Sequence, residues 1–196
     1  MDGAVSPEEQ PTAPSPPDPA FADVPEQTCR DEAVIPAPID EVFAVLSDLS
    51  TYPHWWTLIQ VVPLSDETRV LPGTPFRIEG SRPGGPTRGW DCEVLEVDAP
   101  NRIEIAYVRG DLLGRSAWEL ERVDGGTRIA YVYRGVRANE DGSAETFRRY
   151  GTRLHSVAMQ ADALSGIARY IKGEPLGVEW RADVQARMTA GVQALD

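Results

Sequence analysis

Apolar positions change period along this chain, and the changes mark its elements. Ile39, Val42, Phe43, Leu46 and Leu49 recur at the three-to-four spacing of one helical face. Pro38 suits the first helical position, because its missing N–H has no partner there, and Asp40 and Glu41 fall in the first turn, where the helix dipole favours negative charge. Pro53 ends this pattern, so Tyr52-Pro53-His54-Trp55-Trp56 predicts an aromatic turn or a second short helix.

From there the period drops to two. Ile103, Ile105 and Tyr107 alternate with Glu104, Ala106 and Val108, and Gly114, Ser116, Trp118 and Leu120 alternate with Arg115, Glu119 and Glu121. That is the mark of a sheet with one wet face. Further strands are predicted at Cys29–Pro36, Leu58–Leu64, Thr74–Gly80, Arg88–Val97 and Thr127–Val136. Pro72-Gly73, Pro83-Gly84-Gly85 and Asp124-Gly125-Gly126 supply turns, and connections this short predict an antiparallel meander. The helical period returns between Ala144 and Lys172, where Phe147, Tyr150, Leu154, Val157, Ala158, Ala161, Leu164, Ala168 and Ile171 form one stripe. Gly173 is a candidate C-cap, with Pro175 just beyond. Val184, Met188, Val192 and Leu195 suggest a short amphipathic helix in the remaining tail.

Composition narrows the partners. The chain has 196 residues and a formal net charge of -12. Residues 1–28 hold six acids, seven prolines and no Lys or Arg, the composition of a disordered tail. The rest carries 25 acids against 19 bases, a net of -6, ordinary for a soluble domain. Nucleic acid is disfavoured, since phosphates call for clustered Lys and Arg. Membrane insertion is not expected, because no apolar run approaches the roughly 20 residues a spanning helix needs. The N-terminus lacks the basic and apolar regions of a signal peptide, so a cytoplasmic location is expected. With two Cys and two His far apart, no metal site is expected. The chain holds no GxSxG, P-loop, GxGxxG or HExxH motif, and no cofactor is expected.

The order strand, two short helices, strand meander, long C-terminal helix resembles the START-like helix-grip superfamily, polyketide cyclase/dehydrase group (SRPBCC). The stretches that carry the resemblance are APIDEVFAVLSDLSTYPHWW at 37–56 and LEVDAPNRIEIAYVRGDLLGRSAWELERVDGGTRIAYVYRG at 95–135. The implied fold is α+β: a curved antiparallel sheet gripping a long C-terminal helix over residues 29–173. The implied function is binding of a small hydrophobic molecule, such as a polyketide, lipid or quinone, between sheet and helix. A cofactor-free polyketide aromatase/cyclase or dehydratase is the second reading, and a protein-interaction module the third. Oligomeric state is left open.

The resemblance implies an inward arginine at Arg77, in TPFRIEG, able to hold an enolate oxygen. Strand alternation sets Arg77 against Phe76 and Ile78, the more obvious core pair; only one set faces inward. Trp55, Trp56 and Trp118 are candidate aromatic walls. Tyr107, Tyr131, Tyr133 and Tyr150 are candidate phenolic donors, and Leu154 a candidate lining residue. His54 and His155 are the only histidines, and only His titrates near neutrality without help. The expected chemical set is Arg77, Tyr107 and His54, each of which also has a structural reading.

Overall fold

The computed structural model describes residues 27–81, 87–138, 144–145, 155–174 and 176–193. Strand β1 (Gln27–Ile35) leads into helix α1 (Ile39–Leu46) and a 3-10 helix (Leu49–His54). Strands β2 (Ile59–Pro63), β3 (Pro75–Ser81), β4 (Thr87–Asp98), β5 (Arg102–Gly110), β6 (Leu112–Val123) and β7 (Gly126–Ala138) follow. A two-residue strand β8 (Ala144–Glu145), helix α2 (residues 155–171) and helix α3 (Val178–Gln193) complete the order.

Every pairing is antiparallel, in the order β1-β7-β6-β5-β4-β3-β2, with β8 added beside β7. Consecutive strands from β2 to β7 are neighbours, and only β1 crosses to pair with β7. Register shifts in β4 between Asp91 and Cys92, and between Val94 and Glu96, are bulges that bend the sheet. The result is a curled half-barrel with α2 against its concave face, the helix-grip arrangement.

Alternation decides which side chains face α2. One row across the sheet runs Asp31, Tyr131, Trp118, Ile103, and the next runs Cys29, Tyr133, Ser116, Ile105. All eight are buried. The opposite face carries a ladder of ion pairs: Arg30 to Glu119 at 2.7 Å, Glu119 to Arg102 at 2.8 Å and Arg102 to Glu104 at 2.9 Å. Solvent-facing pairs of this kind contribute little each, about 0–1 kcal/mol.

Pro38 caps α1 from one position earlier than the sequence predicts, its carbonyl accepting from the Glu41 and Val42 amides. Asp48 caps the 3-10 helix by accepting from the Ser50 amide at 2.9 Å. At the other end of the domain, Gly173 adopts φ +71°, the Gly173 amide donates to Tyr170 and the Glu174 amide to Arg169. This pair of bonds is the Schellman closure, which needs the left-handed backbone that glycine accepts without strain.

The long helix departs from the predicted stripe in two ways. Its predicted start, Ala144, lies in β8 and pairs with Ala138; Phe147, Tyr150 and Leu154 fall outside the described residues. Within the described part, the wider i→i+5 turn at Met159–Leu164 rotates the buried face. The core residues are therefore Met159, Ala163, Leu164 and Ile167, while Val157 and Ala158 are only half-buried. Helix α3 lies along α2 and buries Val184 and Met188. The Arg169 guanidinium sits 5.1 Å from the Trp180 ring centre, a cation–π contact between the two helices.

Candidate functional site

The turn after the 3-10 helix is held to α2 by one buried carboxylate. Asp162, fully buried, accepts from the Thr57 amide at 2.9 Å, the Leu58 amide at 2.7 Å and the Thr57 hydroxyl at 2.7 Å. The Trp180 indole N–H of α3 approaches the same carboxylate at 3.4 Å. One turn further, Gly166 lets the helix meet the chain at Trp55, since a Cβ there would lie 1.9 Å from the Trp55 carbonyl oxygen. These contacts press Trp55 and Trp56 into the concave face.

Four rings then make a continuous cluster. Trp55 and Trp56 stack with centres 5.5 Å apart, and both meet the edge of Trp118, at 6.1 and 5.9 Å. Trp118 lies 4.7 Å from Tyr131. Trp55 is fully buried and its indole N–H donates to Thr51 at 3.0 Å, which leaves none for a ligand. Trp56 packs on Tyr131 at 6.2 Å.

Beyond Tyr131 the row becomes polar at its tips. The Tyr107 and Tyr131 hydroxyls are hydrogen-bonded to each other, with Ser116 beside both. Burial pushes both phenols up, Tyr131 to about 12, so they stay neutral donors across the physiological range. Tyr133 stacks on Tyr107 at 5.3 Å, and its hydroxyl donates towards the Leu113 carbonyl at 3.0 Å. Trp90 closes the row against Tyr107 at 5.9 Å; its buried indole N–H has no partner among the described residues.

Among the described residues of the sheet, the one buried carboxylate on this face is Asp31, on β1 and 4% exposed. It accepts from the Ser156 hydroxyl, and His155 Nδ1 lies 3.2 Å from its second oxygen. Burial favours the neutral acid, but the hydrogen bonds from His155 and Ser156 outweigh it and hold the carboxyl below its usual range. The imidazole stacks on Tyr131 at 5.7 Å and tilts over Tyr133 at 6.3 Å.

The expected residues divide sharply. Tyr107, Trp55, Trp56, Trp118, Tyr131 and Tyr133 all lie on the concave side, whereas Tyr150 and Leu154 are outside the described residues. Arg77 is a correction. Phe76 and Ile78 are 1% and 4% exposed, so Arg77 points to the convex face, bonded to Glu79 at 2.9 Å and Asp91 at 2.6 Å. Alternation at a fixed register forbids both arrangements at once. His54 is exposed, as its turn suggests, and stacks on Tyr170 of α2 at 6.1 Å, outside the ring row. Arg77→Ala is therefore expected to cost about 1 kcal/mol in chemical denaturation, since Glu79 is solvent-facing and the buried Asp91 keeps Arg109 as a partner. A much larger loss in that variant would contradict this placement.

Asp31 carries no sequence signal. It sits in QTCRDEAVI, where Arg30, Asp31 and Glu32 read together as a polar edge. Only the pairing of Cys29 with Tyr133 and of Asp31 with Tyr131 turns Asp31 inward. His155 was visible as a candidate, but its partner was not. A separate open groove of about 420 Å³ runs between α2 and α3, lined by Ser156, Val157, Gln160, Ala161 and Arg187.

The model of a family described as polyketide cyclase/dehydrase and lipid transport matches residues 26–172. The chain belongs to that family. Its matched span runs from the start of β1 to the end of α2, so the ring row and the Asp31–His155 pair lie within it. Curated proteins yield no match to the sequence. Among solved structures, a protein from Chromobacterium violaceum is similar at TM-score 0.55 and 19% identity, over 74% of this chain and 96% of that one. Ara h 8.0201 is similar at TM-score 0.55 and 16% identity, over 76% and 99%. DynU16, a protein of the dynemicin biosynthetic locus, is similar at TM-score 0.53 and 18% identity, over 76% of this chain and 48% of that one. Likeness at such identities establishes the fold and leaves the chemistry to the side chains. Among the described residues no helix is long and apolar enough to cross a membrane.

Proposed function

We propose that this family member binds a small hydrophobic or aromatic molecule between its sheet and helix α2. The observation that carries the reading is the row of inward rings from Trp56 through Trp118, Tyr131, Tyr133 and Tyr107 to Trp90. The row is apolar with few, localised polar atoms, the composition typical of the lining of small-molecule sites. Neutral phenols and an indole N–H give a ligand's oxygen something to bond without the cost of burying a charge. The six acids of residues 1–28 and the net charge of -12 do not favour an acidic ligand.

Native mass spectrometry of the full chain, incubated with polyketide and lipid extracts, tests this. A retained adduct that quenches tryptophan fluorescence is the expected result. Absence of any adduct at every concentration tried overturns the proposal. A cofactor-free cyclase or dehydratase is the second reading, favoured by the Asp31–His155 contact among these rings.

A further inference from the structure

We propose that the chain's own segment Ala20-Phe21-Ala22-Asp23-Val24 docks in the groove between α2 and α3, with the Phe21 ring on the groove floor and the Asp23 carboxylate on Arg187. The inference goes beyond the ligand-binding reading and does not depend on what binds between sheet and helix.

The groove exists because of α3. The matched family span ends at residue 172, and α3 follows at Val178–Gln193. Val184 and Met188 anchor this helix on α2, with Trp180 against Arg169. Beside those anchors a space of about 420 Å³ stays open. Val157 and Ala161, four residues apart on one face of α2, give it an apolar floor. Ser156 and Gln160 line it from the same helix, and Arg187 of α3 is the cation among its lining residues. A volume of that size is in the range of pockets that hold whole small molecules, so an aromatic ring and its flanking residues fit.

The groove borders β1. The Ser156 hydroxyl bonds Asp31, and the Gln160 amide donates to the Glu32 carbonyl at 3.2 Å. Strand β1 ends the sheet: it pairs with β7 on one side and with no described strand on the other. Natural proteins commonly cover such an edge with another part of the chain. Residues 1–26 join the fold at Gln27, the first residue of β1. Asp31 is four positions further on, about 13 Å along the strand. A turn at Pro25-Glu26 returns the chain along β1 and carries Phe21 about 10 Å back in the same direction. The Phe21 side chain spans the remaining few ångströms to the level of Ser156.

Charge and composition select this occupant. Phe21 is the one aromatic residue among residues 1–26, a stretch with six acids and no Lys or Arg. In extended backbone Phe21 and Asp23 project from the same side, so a ring seated on Val157 and Ala161 brings a carboxylate to the rim. Arg187 stands at that rim, its side chain 57% exposed, with one nitrogen bonded to Asp183 at 2.8 Å. A guanidinium has five N–H donors, and those not facing Asp183 have no acceptor among the described residues. Covalent attachment sets the segment's effective concentration at the groove in the millimolar range, so a contact too weak to hold a free peptide keeps it docked.

The test is methyl NMR of the full-length protein. A ring seated on Val157 and Ala161 shifts their methyl signals upfield, and nuclear Overhauser effects connect those methyls to the Phe21 ring protons. Phe21→Ala should abolish the upfield shift and leave the melting temperature nearly unchanged, because the substitution lies outside the core. Asp23→Asn and Arg187→Gln should each reduce the shift, and the double variant should lose no more than the larger single loss, as expected of two residues in contact. The shift should not depend on protein concentration, since the contact forms within one chain. Val157 and Ala161 methyls that do not respond to Phe21→Ala overturn the proposal. A shift that vanishes on dilution gives the groove to the segment of a second copy and overturns it too. Fully additive losses at Asp23 and Arg187 overturn the carboxylate–guanidinium contact between them.

Discussion

Replacing Asp162 with alanine should destabilise the protein by about 3–5 kcal/mol, because two backbone amides and a hydroxyl, themselves half-buried, lose a fully buried carboxylate as their acceptor. An unsatisfied buried donor costs about 1–3 kcal/mol, and charge-assisted bonds stand at the upper end. The Thr57 and Leu58 amides begin the segment entering β2, where no strand partner is available to them. Their only acceptor among the described residues is this carboxylate. The urea midpoint should fall with little change in slope, since the folded and unfolded surfaces stay nearly the same. Asp162→Asn retains one oxygen and should lose less. If Asp162→Ala melts like the wild type, the carboxylate does not hold the tryptophan turn. The loss should reach α3 as well, through the Trp180 contact at 3.4 Å.

Trp118→Ala should be of similar size by a different route. Trp118 is 1% exposed and its ring touches Trp55, Trp56 and Tyr131. Truncating a buried tryptophan removes transferred apolar area and leaves a cavity, together about 3–5 kcal/mol. The neighbouring rings are held from behind, Trp55 by Gly166 and Thr51, so they are poorly placed to collapse into the space. Near-ultraviolet circular dichroism should lose much of its aromatic signal while the far-ultraviolet spectrum persists. Added indole should recover part of the melting temperature by filling the cavity. A wild-type melting temperature in this variant would mean that the ring cluster is not the centre of the core.

The two substitutions act on opposite sides of one seam. Asp162 fixes where the tryptophan turn meets α2, and Trp118 is what the turn then meets on the sheet. Loss of either should loosen the first half of the ring row, leaving the Asp31–His155 contact on β1 to report separately. Measuring His155 spectra in Trp118→Ala would separate local from global loss.

Much of this was legible in the chain because it depends on local rules. Pro38 with acids behind it starts a helix, Gly173 ends one, and Ile103, Ile105 and Tyr107 state their own inward face. The stretch 37–56 and the alternation from 95 to 135 suffice to specify a curled meander gripping a helix. Two residues resisted. Arg77 sits between Phe76 and Ile78, and resemblance to a family favoured the one side of an alternation that packing refused. His54 lies in a turn that reads as exposed, but its stacking on Tyr170 was not legible.

The amino-acid order determined the elements, their turns and the alternation that gives the sheet a dry and a wet face, because each follows from periods of two and 3.6 over short distances. Only the tertiary structure decided that Asp31 meets His155, 124 positions away, and that Asp162 receives the Thr57 amide across a separation of 105. Strand register and the wide helical turn at Met159–Leu164 set those encounters, and neither leaves a trace in local composition.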